Sequence, residues 1–385
     1  MYADKEYIIR LRRELHEYPE VGFDLPRTLA LVRRELGGMG IPYTERYGES
    51  AIVAYLNPDK TGFTIGIRAD MDALPIEEKT GLPYSSKNAG RMHACGHDAH
   101  TAMLLGTAKA LKSMEGSLGC RVALLFQPSE EGAVSGAAKM VADGVMDEID
   151  LIIGLHVENW LESGKIGVCK GESMASSRTF KLEFFGKSAH ATLPETGHDA
   201  LAAAVGCYNG IQSMLTRTIS PFARYVCSIG KLEGGTTQNV VADRAMMLGT
   251  VRTFDMAIDK HIIENIEKIA NAAAADFGCT ATLTTDLKAY VIYNDSALSD
   301  LVLASATAVV GEENIVDMPP KMSSEDFSQY LTKRPGVFFR LGTANAAKGI
   351  TSLPHNNDFM IDEDALVFGS DTCVRFVLDN GGMGK

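Results

Sequence analysis

Hydrophobic positions along this chain keep two different rhythms, and the change between them divides it. The opening helix is expected to start near Ala3 to Asp4, with Ile8, Leu11 and Leu15 on one face at helical spacing. From there to about Gly171, continuous apolar runs alternate with helical patterns. Residues 63–68, 121–126 and 150–154 read as buried strands, and 100–114 and 137–142 as helices. That alternation predicts an α/β domain with a mixed, mostly parallel sheet flanked by helices. Near Ser176 the rhythm changes. Residues 179–186, 224–232, 244–254 and 280–291 read as strands. Between them, 199–215 reads as a helix with Leu201, Val205 and Leu215 inward, and 258–275 as one with Ile262, Ile266 and Ile269 on a stripe. The order β-α-β-β-α-β predicts a ferredoxin-like α+β unit inserted into the first domain. After Asn294 helix and strand alternate again. The expected division is 1–175 and 293–385 for the first domain and 176–292 for the insertion.

Composition narrows the class. A chain of 385 residues with 45% apolar content is a folded protein of two domains or three. The net charge of −12 excludes a basic nucleic-acid face. No apolar run reaches the roughly 18 residues of a membrane span. The charged N-terminus lacks the apolar core of a signal peptide, so the expected compartment is the cytoplasm. Seven scattered cysteines without a C-x-x-C pair fit reduced thiols there.

Three polar clusters follow strand-like runs: Asp70 and Asp72, Glu130 and Glu131, and His156. Open α/β sheets bind ligands outside the carboxyl ends of their strands, so the clusters share one edge. Between them lies Met92-His93-Ala94-Cys95-Gly96-His97-Asp98-Ala99-His100, crowded with ligand-type side chains. Each piece alone has an ordinary reading. His156 fits a structural histidine, Glu130-Glu131 a solvated face and Cys95 a small buried hydrophobe. Together they suit a metal hydrolase. A cysteine hydrolase with Cys95 as nucleophile and His97 or His156 as base stays open, as does a binding protein on the same scaffold.

The motifs resemble the M20 family of metallopeptidases, in its amidohydrolase branch of aminoacylase, hippurate hydrolase and auxin-conjugate hydrolase type. The matching strings run nearly the length of the chain: Arg12-Arg13-Glu14-Leu15-His16, Arg68-Ala69-Asp70-Met71-Asp72, Met92-His93-Ala94-Cys95-Gly96-His97-Asp98 and Gln127-Pro128-Ser129-Glu130-Glu131-Gly132. Gly154-Leu155-His156, Gly249-Thr250-Val251-Arg252, Ser324-Glu325-Asp326-Phe327 and Leu353-Pro354-His355-Asn356 follow. The resemblance implies two divalent metal ions held by Cys95, His97, Glu131, His156 and His355, with Cys95 shared. Zinc suits these donors, and manganese or cobalt also binds them. It implies Glu130 as general base and acid, and Asp72 as the group that orients a ligand histidine. The insertion resembles the family's lid and dimerisation domain. His190, in Gly186-Lys187-Ser188-Ala189-His190, would then stabilise the oxyanion in a neighbouring chain's site. Asn239 and Arg252 would meet the substrate's carboxylate end or the reaction intermediate. The implied reaction is hydrolysis of the amide bond in small N-acyl amino acids, by a homodimer or dimer of dimers.

The chain departs from the family pattern at Pro194-Glu195, at Val157-Glu158-Asn159-Trp160 and at Asn356-Asn357. Glu158 or Glu195 would add negative charge at the substrate rim and favour a cationic substrate, such as an N-acetyl-diamino acid. Dipeptidase or aminopeptidase activity is the other alternative within the family, and the Cys95-x-His97 pattern favours the amidohydrolase branch.

Overall fold

A computed structural model of the chain describes residues 1–383. It divides into two compact units. The larger comprises Met1–Ser173, Ile292–Pro319 and the chain from Asp326 onward; the smaller comprises Met174–Val291 and Pro320–Glu325. The short return at 320–325 was not expected from sequence.

The larger unit is built on an eight-stranded sheet. Its strands lie side by side as Tyr43–Thr44, Ile52–Leu56, Arg121–Gln127, Thr64–Asp70, Leu151–Glu162, Gly336–Ala344, Ile166–Val168 and Ile315–Asp317. The four central strands, Arg121–Gln127 through Gly336–Ala344, are parallel. They are buried on both faces, which is why they read as continuous apolar runs. Helix His97–Ser113 packs between Lys5–His16 and Leu366–Asn380. Close approach to the first of these requires Gly106, because a Cβ there would meet Ile8 Cγ1 at 2.6 Å. Asp4 caps Lys5–His16 by accepting the Tyr7 N–H at 3.1 Å.

Two expectations for this unit need correcting. The strand expected to end at Gly154 runs on to Glu162, so His156 lies within it rather than after it. Its polar tail hid the extension. Pairing continues because those side chains find partners: Thr343 Oγ1 donates to Asn159 Oδ1 at 2.6 Å, and Arg340 lies 3.5 Å from Glu158. The helix expected from His100 starts at His97, after Gly96 in the left-handed region at φ 88°.

The smaller unit is an antiparallel sheet in the order Thr280–Ala289, Ser177–Phe185, Arg244–Thr253, Tyr225–Gly234. Helices Ala200–Thr218 and Met256–Asp276 bury one face, over Phe180, Leu182, Phe184 and Met247. This is the ferredoxin-like order. Ile262 and Ile266 are inside and Ile269 is half-buried, but Leu201 and Val205 are exposed. Leu215 is buried as expected, but the rest of the buried stripe of Ala200–Thr218 is Ala200, Ala203, Ala204, Cys207, Ile211 and Met214. Small residues let the two helices close up, as at Gly210, where a Cβ would meet Ile269 Cγ2 at 2.7 Å. Toward the start of this helix alanines, not Leu201 and Val205, therefore mark the inward face.

His16 ties the first helix to the site-bearing helix. Its Nδ1 lies 2.7 Å from Asp98 Oδ2 and its Nε2 3.3 Å from Glu78 Oε1; Arg12 Nε meets the same Asp98 oxygen at 2.8 Å. Burial and the Arg12 charge press its pKa down, but Asp98 and Glu78 more than offset them, so it lies above the ordinary 6.5. A pKa raised on folding stabilises the fold fully below the unfolded value and ceases to do so as pH climbs through the folded one. The melting temperature of metal-free His16→Gln should thus fall furthest below wild type at pH below the ordinary imidazole value of 6.5, with the gap narrowing as pH rises above it. A gap of constant width would show that the charge on His16 contributes nothing.

Candidate metal centre

The carboxyl edge of the parallel strands gathers the polar residues. Asp72 stands two residues beyond Thr64–Asp70, and Glu130 and Glu131 lie in the loop after Arg121–Gln127. Cys95 precedes the helix that begins with His97. Gly96 makes the sharp entry possible, since a Cβ there would sit 2.4 Å from Val157 Cγ2. His355 comes from a distant loop in the left-handed region, at φ 68°. Its N–H donates to Ala94 O at 2.8 Å, which pins that loop beside Cys95.

Among the described residues five groups of ligand-type atoms lie close enough to hold an ion, and the five expected donors fall into two of them, trios that share one sulfur. Ligand-type atoms of Cys95, His97 and His156 lie within 4.8 Å of one another, as do those of Cys95, Glu131 and His355. His156 Nε2 is 3.3 Å from Cys95 Sγ, and its Nδ1 meets Val157 O at 2.5 Å, which leaves Nε2 as the donor atom. His97 sets Nδ1 3.3 Å from Asp72 Oδ1, while its buried Nε2, 3.7 Å from Asp70 Oδ2, has no hydrogen-bond partner among the described residues. Glu131 Oε1 is likewise without a hydrogen bond, though His355 Nε2 lies only 2.9 Å away. Two orphaned buried atoms and a close pair without hydrogen-bond geometry fit donors aimed at cations. Asp72 also accepts the N–H of Glu130 at 3.0 Å and of Glu131 at 3.1 Å.

The field here favours positive charge. Burial opposes it, yet Asp70 and Cys95 hold His97 well above the ordinary imidazole pKa. Burial holds His156 well below that value, in the neutral form that donates a lone pair. Burial and then Glu131 push the Cys95 thiol up. A thiol so raised is a poor free nucleophile, which counts against the cysteine-hydrolase reading; a coordinated cation would remove its proton.

Sequence reasoning missed the buried frame beneath these donors. His100 belongs to it and is no ligand, because both ring nitrogens are engaged. Nδ1 meets Asp70 Oδ1 at 2.6 Å, and Nε2 accepts the Val157 N–H at 3.0 Å. Asp70 also takes Arg68 Nη1 at 2.7 Å. The only signal in the sequence was charge inside an apolar strand, at Arg68 and Asp70.

In the smaller unit, His190 and Asn239 come together. His190 bridges Val240, and Ala191 N donates to Asn239 O at 3.0 Å. Exposed His190 keeps Nδ1 on Thr192 Oγ1 at 2.8 Å. Half-buried Arg252 lies on the strand Arg244–Thr253 and donates to Thr250 Oγ1 at 2.5 Å. Burial lowers its pKa, and no ion pair to it is found among the described residues. Glu195 is exposed, but Glu158 is buried beside Arg340. The expected contribution of Glu158 as a free rim charge is therefore corrected: Arg340 already neutralises it.

The family model for peptidase family M20/M25/M40 matches residues 66–379, and the chain belongs to that family. It is a metal-dependent hydrolase acting on amides. It is 37% identical to an N-acetyl-L-cysteine deacetylase of Bacillus subtilis (strain 168), over 95% of this chain and 86% of that protein. It is 37% identical to the IAA-amino acid hydrolase ILR1-like 4 of Arabidopsis thaliana, over 95% of this chain and 83% of the relative. A Bacillus subtilis structure described as a dinuclear metal-binding peptidase from the M20 family superposes with a TM-score of 0.82. That match is at 33% identity and covers 97% of this chain and 98% of that one.

If the two trios hold cations, His97→Gln and Glu131→Gln should each lower the metal content of the purified protein below that of wild type, while Glu130→Gln should not. Mass spectrometry of the metal provides the count. Unchanged content in both ligand variants would contradict the assignment.

Proposed function

We propose that this enzyme cleaves the amide bond of small N-acyl amino acids, using two divalent ions held by Cys95, His97, Glu131, His156 and His355. The observation that carries the ligand set is the pair of donor trios sharing Cys95. Cys and His donors favour zinc, with manganese or cobalt as alternatives. When bound, the cations supply Lewis acidity for water and for the amide carbonyl. Glu130 accepts a proton from the attacking water and returns it to the amine nitrogen, a leaving group too basic to depart as an anion. Asp72 holds Glu130, Glu131 and His97 in place through its contacts. The acyl relatives named above support the substrate class. The enzyme acts in the cytoplasm in this reading.

Arg252 and Asn239 receive the substrate's α-carboxylate. A half-buried guanidinium without an ion pair among the described residues suits a carboxylate that accepts two parallel hydrogen bonds. In a panel of acetyl, benzoyl and diamino acid derivatives, chelation should abolish hydrolysis and free acids should outrun the matching amides. Arg252→Ala should narrow that preference by about 1.5–3 kcal/mol, the worth of one charged hydrogen bond. Equal kcat/KM for acid and amide in the wild type would rule the clamp out.

The smaller unit serves as lid and dimerisation domain, and His190 assists the partner chain's reaction. Supporting this, the edge strand Tyr225–Gly234 exposes Val226 (43%), and the helix Ala200–Thr218 exposes Val205 (45%). Glu130→Gln and His190→Ala chains should each be nearly inactive. Co-expressed, half the dimers are mixed and each mixed dimer keeps one intact site, so activity should recover to about a quarter of wild type. No recovery with mixed dimers demonstrated by differential tagging would mean that His190 serves its own chain.

A further inference from the structure

The loop that carries Glu130 and Glu131 is fastened at both ends to one carboxylate, that of Asp326. Before the loop, Gln127 Nε2 donates to Asp326 Oδ1 at 2.8 Å and to Oδ2 at 3.0 Å. After it, Ser135 Oγ donates to Oδ2 at 2.6 Å and Ala137 N to the same oxygen at 3.3 Å. Arg68 Nη2 lies on Oδ1 at 2.9 Å and holds Gln127 Oε1 through Nε at 2.8 Å. Asp326 and Gln127 are fully buried, so water offers these groups no alternative partners. The Asp326 backbone N–H faces Glu130 Oε1 at 3.4 Å.

The loop between the two ends has little freedom. Ser129 sits in the left-handed region at φ 52° and turns the chain into Glu130. Its Oγ donates to Val134 O at 2.7 Å, and its carbonyl accepts Gly136 N–H at 3.0 Å. Gly136 must be glycine, because a Cβ there would meet Pro128 O at 1.8 Å.

We infer that Asp326 is a positioning residue for Glu130: its carboxylate clamps the two ends of the 128–136 loop and so fixes where the proton-carrying carboxylate stands. The inference rests on the reading of Glu130 as proton carrier; the clamp itself does not. Asp326 acts through Gln127, Ser135 and its own N–H, and a shift of about 1 Å in a reacting group costs roughly 100-fold in rate.

The test compares wild type, Asp326→Asn and Ser135→Ala as full-length proteins. Three quantities are measured: amide hydrogen exchange across 128–137, metal content, and kcat and KM on the N-acyl amino acid that wild type hydrolyses fastest. In Asp326→Asn, exchange across 128–137 should rise roughly tenfold or more while the central strands keep their protection. Metal content should hold, and kcat should fall roughly 100-fold with KM nearly unchanged. Ser135→Ala, which removes a single bond at one end, should shift the same quantities less, and it decides the matter if Asp326→Asn does not fold. Unchanged exchange across the loop overturns the clamp. Faster exchange with kcat within about twofold of wild type, or a loss of kcat that tracks lost metal, overturns the positioning role. If wild type hydrolyses no N-acyl amino acid, the proposed function fails, and exchange alone decides the clamp.

Discussion

The Asp72 carboxylate stands where three parts of the centre meet. It accepts the N–H of Glu130 and of Glu131, and it faces His97 Nδ1. A strand end, a loop and a helix start are thereby locked to one another. Burying a carboxylate is unfavourable unless its oxygens are hydrogen-bonded, so these contacts form together or not at all. A second buried carboxylate, Asp70, extends the lock. It links Arg68 to His100, whose other nitrogen holds the Val157 N–H next to His156. The candidate donors are thus held from behind by Asp72, Asp70 and His100.

This frame explains why polar atoms at the centre can remain without hydrogen bonds among the described residues. His97 Nε2 and Glu131 Oε1 are buried and lack hydrogen bonds. An unsatisfied buried group costs about 1–3 kcal/mol, and a flexible site would relieve it by moving. Here Asp72, Gly96 and the Ala94–His355 contact prevent the movement. In the proposed reading, cations would satisfy these atoms without rearrangement. In the proposed reading, metal binding therefore stabilises this edge of the sheet as well as enabling the chemistry.

Much of the fold was legible in the sequence, because the central strands carry continuous apolar runs and the helices between them are periodic. The failures have local causes. The strand Leu151–Glu162 was cut short because its polar residues pair with Arg340 and Thr343, neither of which lies near it in sequence. The inward face of Ala200–Thr218 was misread because alanine carries it. At the centre, Cys95, His97, Glu130, Glu131 and His156 were conspicuous by residue type. Their division into trios sharing Cys95, and the inclusion of His355, came from family resemblance, since no spacing rule joins positions 95 and 355. The roles of His100 and Asp326 could not be read at all, because they depend on burial and on partners far along the chain.

The central claim is that two ions sit among these five donors with the Cys95 sulfur common to both. Anomalous diffraction from crystals of the metal-loaded enzyme, collected on either side of the metal's absorption edge, tests it most directly. The account predicts two anomalous peaks, one among Cys95, His97 and His156 and one among Cys95, Glu131 and His355, each in contact with Cys95 Sγ. A single peak, or two peaks of which neither touches that sulfur, would contradict it.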